Sequence, residues 1–316
     1  MKYNILGKSE IKVSELCFGI LTMGPLQSNI PITEGARVIL EGLNSGINFL
    51  DTAQSYKTYP YIKEAIANYQ DEVIIASKSN ATQYKEMKEA VQEACREINR
   101  NHIDIFHLHA AKEDKNVFQK RAGALSCLMD LKKQGIIRAI GISTHAVEVV
   151  EKAAEVEEID VVFPIINQVG LGIIGGTPED MICAIKKVHA SGKGIYAMKA
   201  LAGGYLINQI EKAIHFVREI QEIHSIAVGM VHSRELETNI KIFENKKIDQ
   251  EQIIKEGLHR KKLWVSRFCQ GCGTCVEACP NNALSLKDGK AFVDYGLCIT
   301  CGYCVPHCPI FALRIV

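Results

Sequence analysis

The sequence has no hydrophobic segment long enough to cross a bilayer, which takes about 18 consecutive apolar residues. Its opening residues, Met1-Lys-Tyr-Asn-Ile-Leu-Gly7, contain no apolar run of signal-peptide length. It also has no excess of charge, since 37 Lys and Arg residues face 36 Asp and Glu residues. The balance argues for neither a nucleic acid nor a membrane surface as partner. We therefore expect a cytoplasmic protein that binds neither, in a compartment that keeps thiols reduced.

Low-complexity segments are also missing, and apolar residues make up 47% of the chain, enough for a sizeable core. A length of 316 residues allows two domains, or one large domain with an appendage. Eight of the 12 cysteines lie after residue 268. The other four, Cys17, Cys95, Cys127 and Cys183, lack the spacing of metal ligands, and we assign them no role.

The C-terminal cysteines form two runs with the same pattern, C-x2-C-x2-C-x3-C-P. The runs are Cys269-Gln-Gly-Cys272-Gly-Thr-Cys275-Val-Glu-Ala-Cys279-Pro280 and Cys298-Ile-Thr-Cys301-Gly-Tyr-Cys304-Val-Pro-His-Cys308-Pro309. In this pattern three closely spaced thiolates bind one iron–sulfur cube, and the fourth ligand comes from the other run. We therefore assign one [4Fe–4S] cluster to Cys269, Cys272, Cys275 and Cys308, and a second to Cys298, Cys301, Cys304 and Cys279.

Two alternatives to clusters are zinc and disulfides. Paired C-x2-C spacings bind zinc in many proteins, but zinc rarely needs a third cysteine two residues on or a proline after the fourth. Disulfides require an oxidising compartment, and nothing in the sequence indicates one. The two runs resemble the bacterial two-cluster ferredoxin, and this resemblance covers residues 265–316.

Before these runs, strand-like and helix-like patterns alternate. Apolar strand patterns cover 13–18, 47–53, 73–77, 103–110, 136–143, 159–167, 194–201 and 225–231. Helical patterns cover 33–45, 59–69, 82–99, 117–134, 146–157, 177–190, 207–223 and 233–246. Eight such units predict a (β/α)8 TIM barrel over 1–250. A doubly wound sheet is the alternative, but no G-x-G-x-x-G follows the first strand.

We expect the barrel to be followed by a basic connector, 251–264, and a small α+β ferredoxin-like domain, 265–316. Catalytic residues of such barrels lie where strands end at the C-terminal face. The second predicted strand ends near Asp51 and Tyr56, the third at Lys78 and the fourth at His109. The sequence therefore predicts four proton-handling side chains on one rim.

From residue 3 to about 245 the chain resembles the aldo/keto reductase family. The resemblance rests on Leu6-Gly-Lys-Ser-Glu-Ile-Lys-Val13-Ser14-Glu-Leu16, on Phe49-Leu-Asp51-Thr-Ala53 and on the four rim residues. It implies that Tyr56 is the general acid/base for carbonyl reduction and that His109 orients the carbonyl. A phenol with a pKa near 10 is a poor proton donor at neutral pH unless its environment changes it. Lys78, held by Asp51, is expected to favour the phenolate.

The same resemblance suggests contacts with a nicotinamide cofactor. Ser143 and Gln168 match positions that bind the nicotinamide amide. Lys199 is a candidate phosphate ligand. The segment 229–239, which contains Arg234 and ends at Asn239, resembles the segment that binds the adenosine phosphate. Four positions depart from the family pattern: Thr144 stands where Asn is usual, Met198 where an aromatic ring commonly stacks on the nicotinamide, and Glu235 and Thr238 where Arg and Glu often appear. The choice between NAD and NADP is open, and a flavin is possible.

The presence of both domains in one chain allows three functional hypotheses. In the first, the protein is a reductase for small carbonyl compounds or alcohols, and its clusters exchange electrons with a nicotinamide, a flavin or a redox partner protein. In the second, it is an electron-transfer protein whose barrel is a docking or cofactor-binding scaffold. In the third, the clusters are structural or redox-sensing and the barrel alone carries out NAD(P)H-dependent reduction.

Overall fold

The computed structural model describes residues 1–249, 262–309 and 312–315. Eight parallel strands close into a barrel, so the predicted fold class is confirmed. Around the barrel the strands are β3 (Leu16–Gly19), β4 (Phe49–Asp51), β5 (Ile74–Ser79), β6 (Ile103–Ala110), β7 (Ile137–Thr144), β8 (Val161–Pro164), β9 (Gly194–Met198) and β10 (Ser225–Gly229). Strand β10 pairs with β3 and closes the ring.

Helices surround the barrel strands. They are α1 (Ile32–Asn44), α2 (Tyr59–Ile66), α3 (Tyr84–Ile98), α4 (Val117–Lys120), α5 (Ala122–Lys133), α6 (Val147–Ala153), α7 (Pro178–Ala190), α8 (Ile210–Arg218) and α9 (Ser233–Phe243). Four 3-10 segments, Ile20–Met23, Gln54–Tyr56, Ala202–Gly204 and Ile207–Gln209, follow strand ends or precede a helix. No helix among the described residues has both the length and the apolar character that a membrane span requires.

A hairpin at the start of the chain closes the bottom of the barrel. Its strands, β1 (Tyr3–Ile5) and β2 (Lys12–Ser14), pair antiparallel. Leu6, Ile11 and Val13 are fully buried and pack with the inward-facing side chains of the barrel strands. Water is thereby kept out of the lower barrel, and the open end is the one at which the strands terminate.

Most element boundaries differ from the sequence prediction by a few residues, and two differences alter the organisation of the chain. The first barrel strand begins at Leu16, because residues 12–14 belong to the hairpin. The helix predicted over 117–134 is interrupted at Arg121, whose backbone is not helical. At this interruption the Arg121 guanidinium donates to the His109 carbonyl oxygen at 3.0 Å and forms an ion pair with Glu113.

The C-terminal cysteine-rich region forms its own small core. Strand β11 (Leu263–Val265) pairs antiparallel with β14 (Leu313–Ile315), and β12 (Leu284–Lys287) with β13 (Lys290–Val293). A short helix, α10, spans Thr274–Glu277. Residues 251–261 of the predicted connector lie outside the described residues. Its last residues, 263 and 264, are part of β11, so the first strand of this domain starts before residue 265.

The C-terminal domain lies over the open end of the barrel. Gln27 Nε2 donates to the Thr300 carbonyl oxygen at 3.1 Å, and the Thr300 hydroxyl donates to the Gly203 carbonyl oxygen. Gly203 has φ +66°, and a Cβ there would lie 1.9 Å from the Ile299 carbonyl oxygen. Only glycine permits so close a backbone approach. The two domains are therefore packed together, and the C-terminal domain contacts the end of the barrel at which the strands terminate.

Candidate active site and cluster sites

A cavity of about 760 Å³ lies between the strand ends of the barrel and the C-terminal domain. Its lining includes the four predicted catalytic residues, Asp51, Tyr56, Lys78 and His109. Three different strand ends bring them together, as the parallel order β4–β5–β6 requires. The C-terminal domain contributes Ile299, Thr300 and Tyr303 to the same wall.

The Lys78 ammonium is fixed by three acceptors. It lies 2.8 and 2.7 Å from the two carboxylate oxygens of Asp51 and 2.7 Å from the Thr52 carbonyl oxygen. Both side chains are buried. Burial raises the pKa of Asp51 and lowers the pKa of Lys78, because each charged form loses water, and the short contacts between the two oppose both shifts.

Replacing Lys78 by Met should strongly destabilise the barrel, because it leaves the Asp51 carboxylate buried and unpaired. Loss of one partner of a buried pair costs about 3–5 kcal/mol. The matched control is Lys132→Met, whose partner Asp160 is 2.6 Å away at the surface, where such pairs contribute about 0–1 kcal/mol. The measurement is thermal unfolding followed by far-UV circular dichroism. Equal melting temperatures for the two variants would contradict this account of the pair.

Tyr56 ends the 3-10 segment after β4, with its ring centroid 5.0 Å from Lys78 Nζ. We expected the ammonium to lower the pKa of this phenol. Instead, burial raises the pKa of Tyr56 well above its ordinary value, with further contributions from Tyr303 and Asp51. The physical reason is that the charge of Lys78 is already balanced by Asp51, so little remains to stabilise a phenolate. Tyr56 is therefore a protonated phenol in this arrangement.

The two histidines of β6 have different surroundings. His109 lines the cavity, with its ring centroid 6.0 Å from that of Tyr56. Its pKa lies well below the ordinary histidine value because of burial and the positive charge of Lys78, so the imidazole is neutral. His107 lies deeper, and its Nε2 is 2.8 Å from the Tyr196 hydroxyl. Of the two, only His109 is among the described residues that line the cavity.

Tyr196 is a site residue that the sequence analysis missed. Its hydroxyl donates to Asp51 Oδ1 at 2.9 Å, and its ring stacks on Phe163 with centroids 3.8 Å apart. It therefore fixes the carboxylate that holds Lys78. A signal was available, because Tyr196 is two residues before Met198 on a strand and thus faces the same side.

The predicted cofactor contacts fall into two groups. Ser143, Lys199 and Arg234 line the cavity, whereas Gln168 and Asn239 are not among its described lining residues. The Ser143 hydroxyl is buried and has no hydrogen-bond partner among the described residues, which fits a group that binds a ligand. Asn239 is buried and donates to the Glu235 carbonyl oxygen at 2.8 Å.

The eight C-terminal cysteines surround two small cavities, four to each. One cavity is lined by Cys269, Cys272, Cys275 and Cys308, which we call the distal set. The other is lined by Cys279, Cys298, Cys301 and Cys304, the proximal set. Each set therefore takes three cysteines from one run and one from the other, as the sequence predicts.

The surroundings of the sulfurs fit iron–sulfur clusters. Backbone N–H groups of Ala291, Ala283 and Ala312 donate to the sulfurs of Cys269, Cys279 and Cys308 at 3.1–3.3 Å. Hydrogen bonds to the ligand sulfurs are one of the features that set the reduction potential of such a cluster.

One side chain of the C-terminal domain contacts two of the predicted catalytic residues. Tyr303 lies between Cys301 and Cys304 in sequence, and its hydroxyl is 2.8 Å from His109 Nε2. It also hydrogen-bonds Tyr56. The sequence analysis assigned Tyr303 no role, because only the docking of the two domains brings it to β6, 194 residues away in the chain.

Comparison with known proteins assigns the same two parts. The aldo/keto reductase family matches residues 15–226, and a 4Fe-4S dicluster domain matches residues 268–313. Together with the barrel and its cavity these matches define an oxidoreductase that carries iron–sulfur clusters. The chain belongs to the aldo/keto reductase family.

Individual relatives are distant. The chain is 20% identical to an uncharacterised oxidoreductase, YqkF, of Bacillus subtilis, over 83% of this chain and 97% of that protein. It is 24% identical to the L-galactose dehydrogenase of Arabidopsis thaliana, over 65% and 66% of the two chains. Among solved structures, a putative aldo-keto reductase, PA4992, of Pseudomonas aeruginosa gives a TM-score of 0.67 at 21% identity, covering 77% of this chain and 94% of its own. Likeness at this level shows the fold.

Proposed function

We propose that this protein interconverts a small carbonyl compound and its alcohol in the barrel and exchanges the electrons with a carrier through its clusters. The observation that carries the proposal is the convergence of Tyr56 and His109 on one oxygen atom. In the structure that atom is the hydroxyl oxygen of Tyr303, 2.8 Å from His109 Nε2 and hydrogen-bonded to Tyr56. A substrate oxygen held in this way can receive a proton as a carbonyl is reduced.

The residues of the chain then have separate roles. Tyr56 is protonated, so it is ready to donate a proton to an alkoxide as that charge develops. Neutral His109 orients the carbonyl by a hydrogen bond. Asp51 and Tyr196 hold Lys78 near the Tyr56 ring, where its positive charge favours the anionic oxygen of the transition state.

The cavity has groups that fit a nicotinamide dinucleotide. The unpartnered Ser143 hydroxyl suits an amide, and Arg234 and Lys199 are cations for phosphates. When bound, such a cofactor supplies a hydride, which is two electrons and a proton together. Clusters pass single electrons, so exchange with a hydride donor needs a group that divides the pair, and a flavin in the cavity or on a redox partner would supply that step. We propose NAD(P)H as the first candidate for the hydride donor.

The proximal cysteine set lies next to the cavity, as electron exchange between the two would require. Ile299 and Thr300 line both the active-site cavity and the cavity of the proximal set. Burial lowers the pKa of Lys199, and the neighbouring Cys301 opposes that shift. A cavity-lining cation thus lies beside a cluster ligand. One layer of residues separates the proposed sites of carbonyl chemistry and of electron storage.

An anaerobic titration with NADH, NADPH and dithionite, following the absorbance of the clusters, tests this proposal. We expect dithionite and at least one nicotinamide to bleach the clusters, with added small aldehydes or ketones restoring the colour. If the protein oxidises NAD(P)H with a carbonyl compound while the cluster absorbance stays unchanged, the clusters have a structural or sensing role instead. If no carbonyl compound is reduced with any of the three donors, the proposal fails and the barrel is a docking scaffold.

A further inference from the structure

The loop of the C-terminal domain that enters the barrel has the sequence Cys301-Gly302-Tyr303-Cys304. Gly302 has φ +82°, and a Cβ there would lie 2.5 Å from the Leu26 carbonyl oxygen of the barrel. The backbone of the loop is thus pressed against the barrel, which only glycine allows. Because Cys301 and Cys304 are both in the proximal set, the position of Tyr303 is fixed by the proposed cluster ligands on either side of it.

The Tyr303 hydroxyl makes the two contacts that the proposed mechanism requires of a substrate oxygen. It lies 2.8 Å from His109 Nε2 and hydrogen-bonds the Tyr56 phenol. The rings of Tyr303 and His109 meet edge to face, with centroids 5.8 Å apart. A phenol has one O–H donor and an accepting oxygen, as an alcohol does.

The ring of Tyr303 also occupies an apolar position. It packs on a buried group formed by Leu26, Ala53 and Tyr56, with Leu21 beside it. None of the aliphatic side chains in this group offers a polar atom that would recognise a charged or polyhydroxylated compound. What fits there is an oxygen attached to a ring or to a similar apolar group.

We propose that Tyr303 is an internal occupant of the substrate position, held between Tyr56 and His109 until the oxygen of an aryl or alicyclic carbonyl compound or alcohol displaces it. This inference rests on the proposed function and names the substrate class of that site. It also places the exchange next to the proximal set, because Tyr303 lies between two of its members, Cys301 and Cys304, in the chain. No bond is made or broken in the exchange, which replaces one pair of hydrogen bonds by another.

The test compares ligand binding in the cluster-loaded wild type and the Tyr303→Phe variant. The probe is acetophenone, titrated calorimetrically without any electron donor. The substitution keeps the ring and removes the hydroxyl, so the occupant loses both hydrogen bonds and is displaced more easily. Two hydrogen bonds of ordinary net strength correspond to roughly thirtyfold tighter acetophenone binding. Equal or weaker binding by Tyr303→Phe would overturn the inference.

A matched control is Tyr295→Phe, which removes another hydroxyl from the same domain, one that donates to the Leu263 carbonyl oxygen at 3.0 Å. We expect it to bind acetophenone like the wild type. Iron content is measured for every variant. Should Tyr303→Phe lose iron, the comparison of variants is replaced by a competition experiment in the wild type, in which 4-methylphenol, the analogue of the tyrosine side chain, competes with acetophenone. Simultaneous binding of the two would also overturn the inference.

The placement of the exchange next to the proximal set is tested by electron paramagnetic resonance of photoreduced protein. Saturating acetophenone should shift the signal of one of the two clusters in the wild type, and an unchanged spectrum would overturn this placement. These binding measurements do not depend on turnover. If Tyr303→Phe changes the affinity for acetophenone but no donor supports carbonyl reduction, the proposed function is rejected and the inference about Tyr303 stands. If carbonyl compounds are reduced but the affinity is unchanged, the proposed function stands and the inference about Tyr303 is rejected.

Discussion

Tyr56→Phe is expected to lower carbonyl reduction by about 10²–10⁴-fold, the usual contribution of a positioned proton donor. The phenol is the protonated group that, with His109, contacts the oxygen position, and phenylalanine keeps the ring while removing the proton. Substrate reduction is measured with small aldehydes or ketones and whichever donor the titration identifies. Iron content should not change, because Tyr56 is not one of the residues lining either cysteine cavity.

The control for this variant is Tyr3→Phe, which removes a hydroxyl that donates to the Gly46 carbonyl oxygen in the region of the closed barrel end. It should reduce carbonyl compounds at the wild-type rate. Unaltered turnover of Tyr56→Phe would remove the catalytic assignment. Loss of turnover in both variants would mean that removing a hydroxyl far from the site also abolishes activity. The loss in Tyr56→Phe would then not support a catalytic role for Tyr56.

Cys308→Ala is expected to lower the iron content from about eight to about four per chain. Cys308 is the last cysteine of the second run, but it lines the cavity of the distal set together with cysteines of the first run. Its loss should therefore remove the distal cluster and leave the proximal one. The exposed Cys183, which belongs to neither run, provides the control as Cys183→Ala and should retain all the iron.

Two double variants distinguish crossed from uncrossed ligation. Cys308→Ala with Cys272→Ala changes two ligands of one cluster in the crossed arrangement, and about four irons should remain. Cys308→Ala with Cys304→Ala changes one ligand of each cluster, and nearly all iron should be lost. The opposite result for the two pairs would mean that each run binds its own cluster. Two or fewer irons in the wild type, with zinc present, would refute the clusters altogether.

Most of the candidate site could be predicted because its residues lie at strand ends. Apolar runs alternating with helical patterns gave eight units, and parallel strands in a barrel all end at one face. Asp51, Lys78 and His109 were therefore predicted to meet, and they line one cavity. The protonation of Tyr56 was not predictable in this way, because its pKa depends on burial and on how completely Asp51 balances Lys78.

The sequence by itself determined the two cysteine sets and the barrel, because both depend on short-range spacing: thiolates a few residues apart, and apolar periods of a single strand or helix. Only the tertiary structure decided that Tyr196 holds Asp51 across 145 residues and that Tyr303 reaches His109 across 194. Those contacts depend on how strands are ordered around the barrel and on how closely Gly203 and Gly302 let two backbones approach. The spacing of residues within one segment does not determine the strand order or the backbone approach, because packing between distant segments depends on the shape of both surfaces.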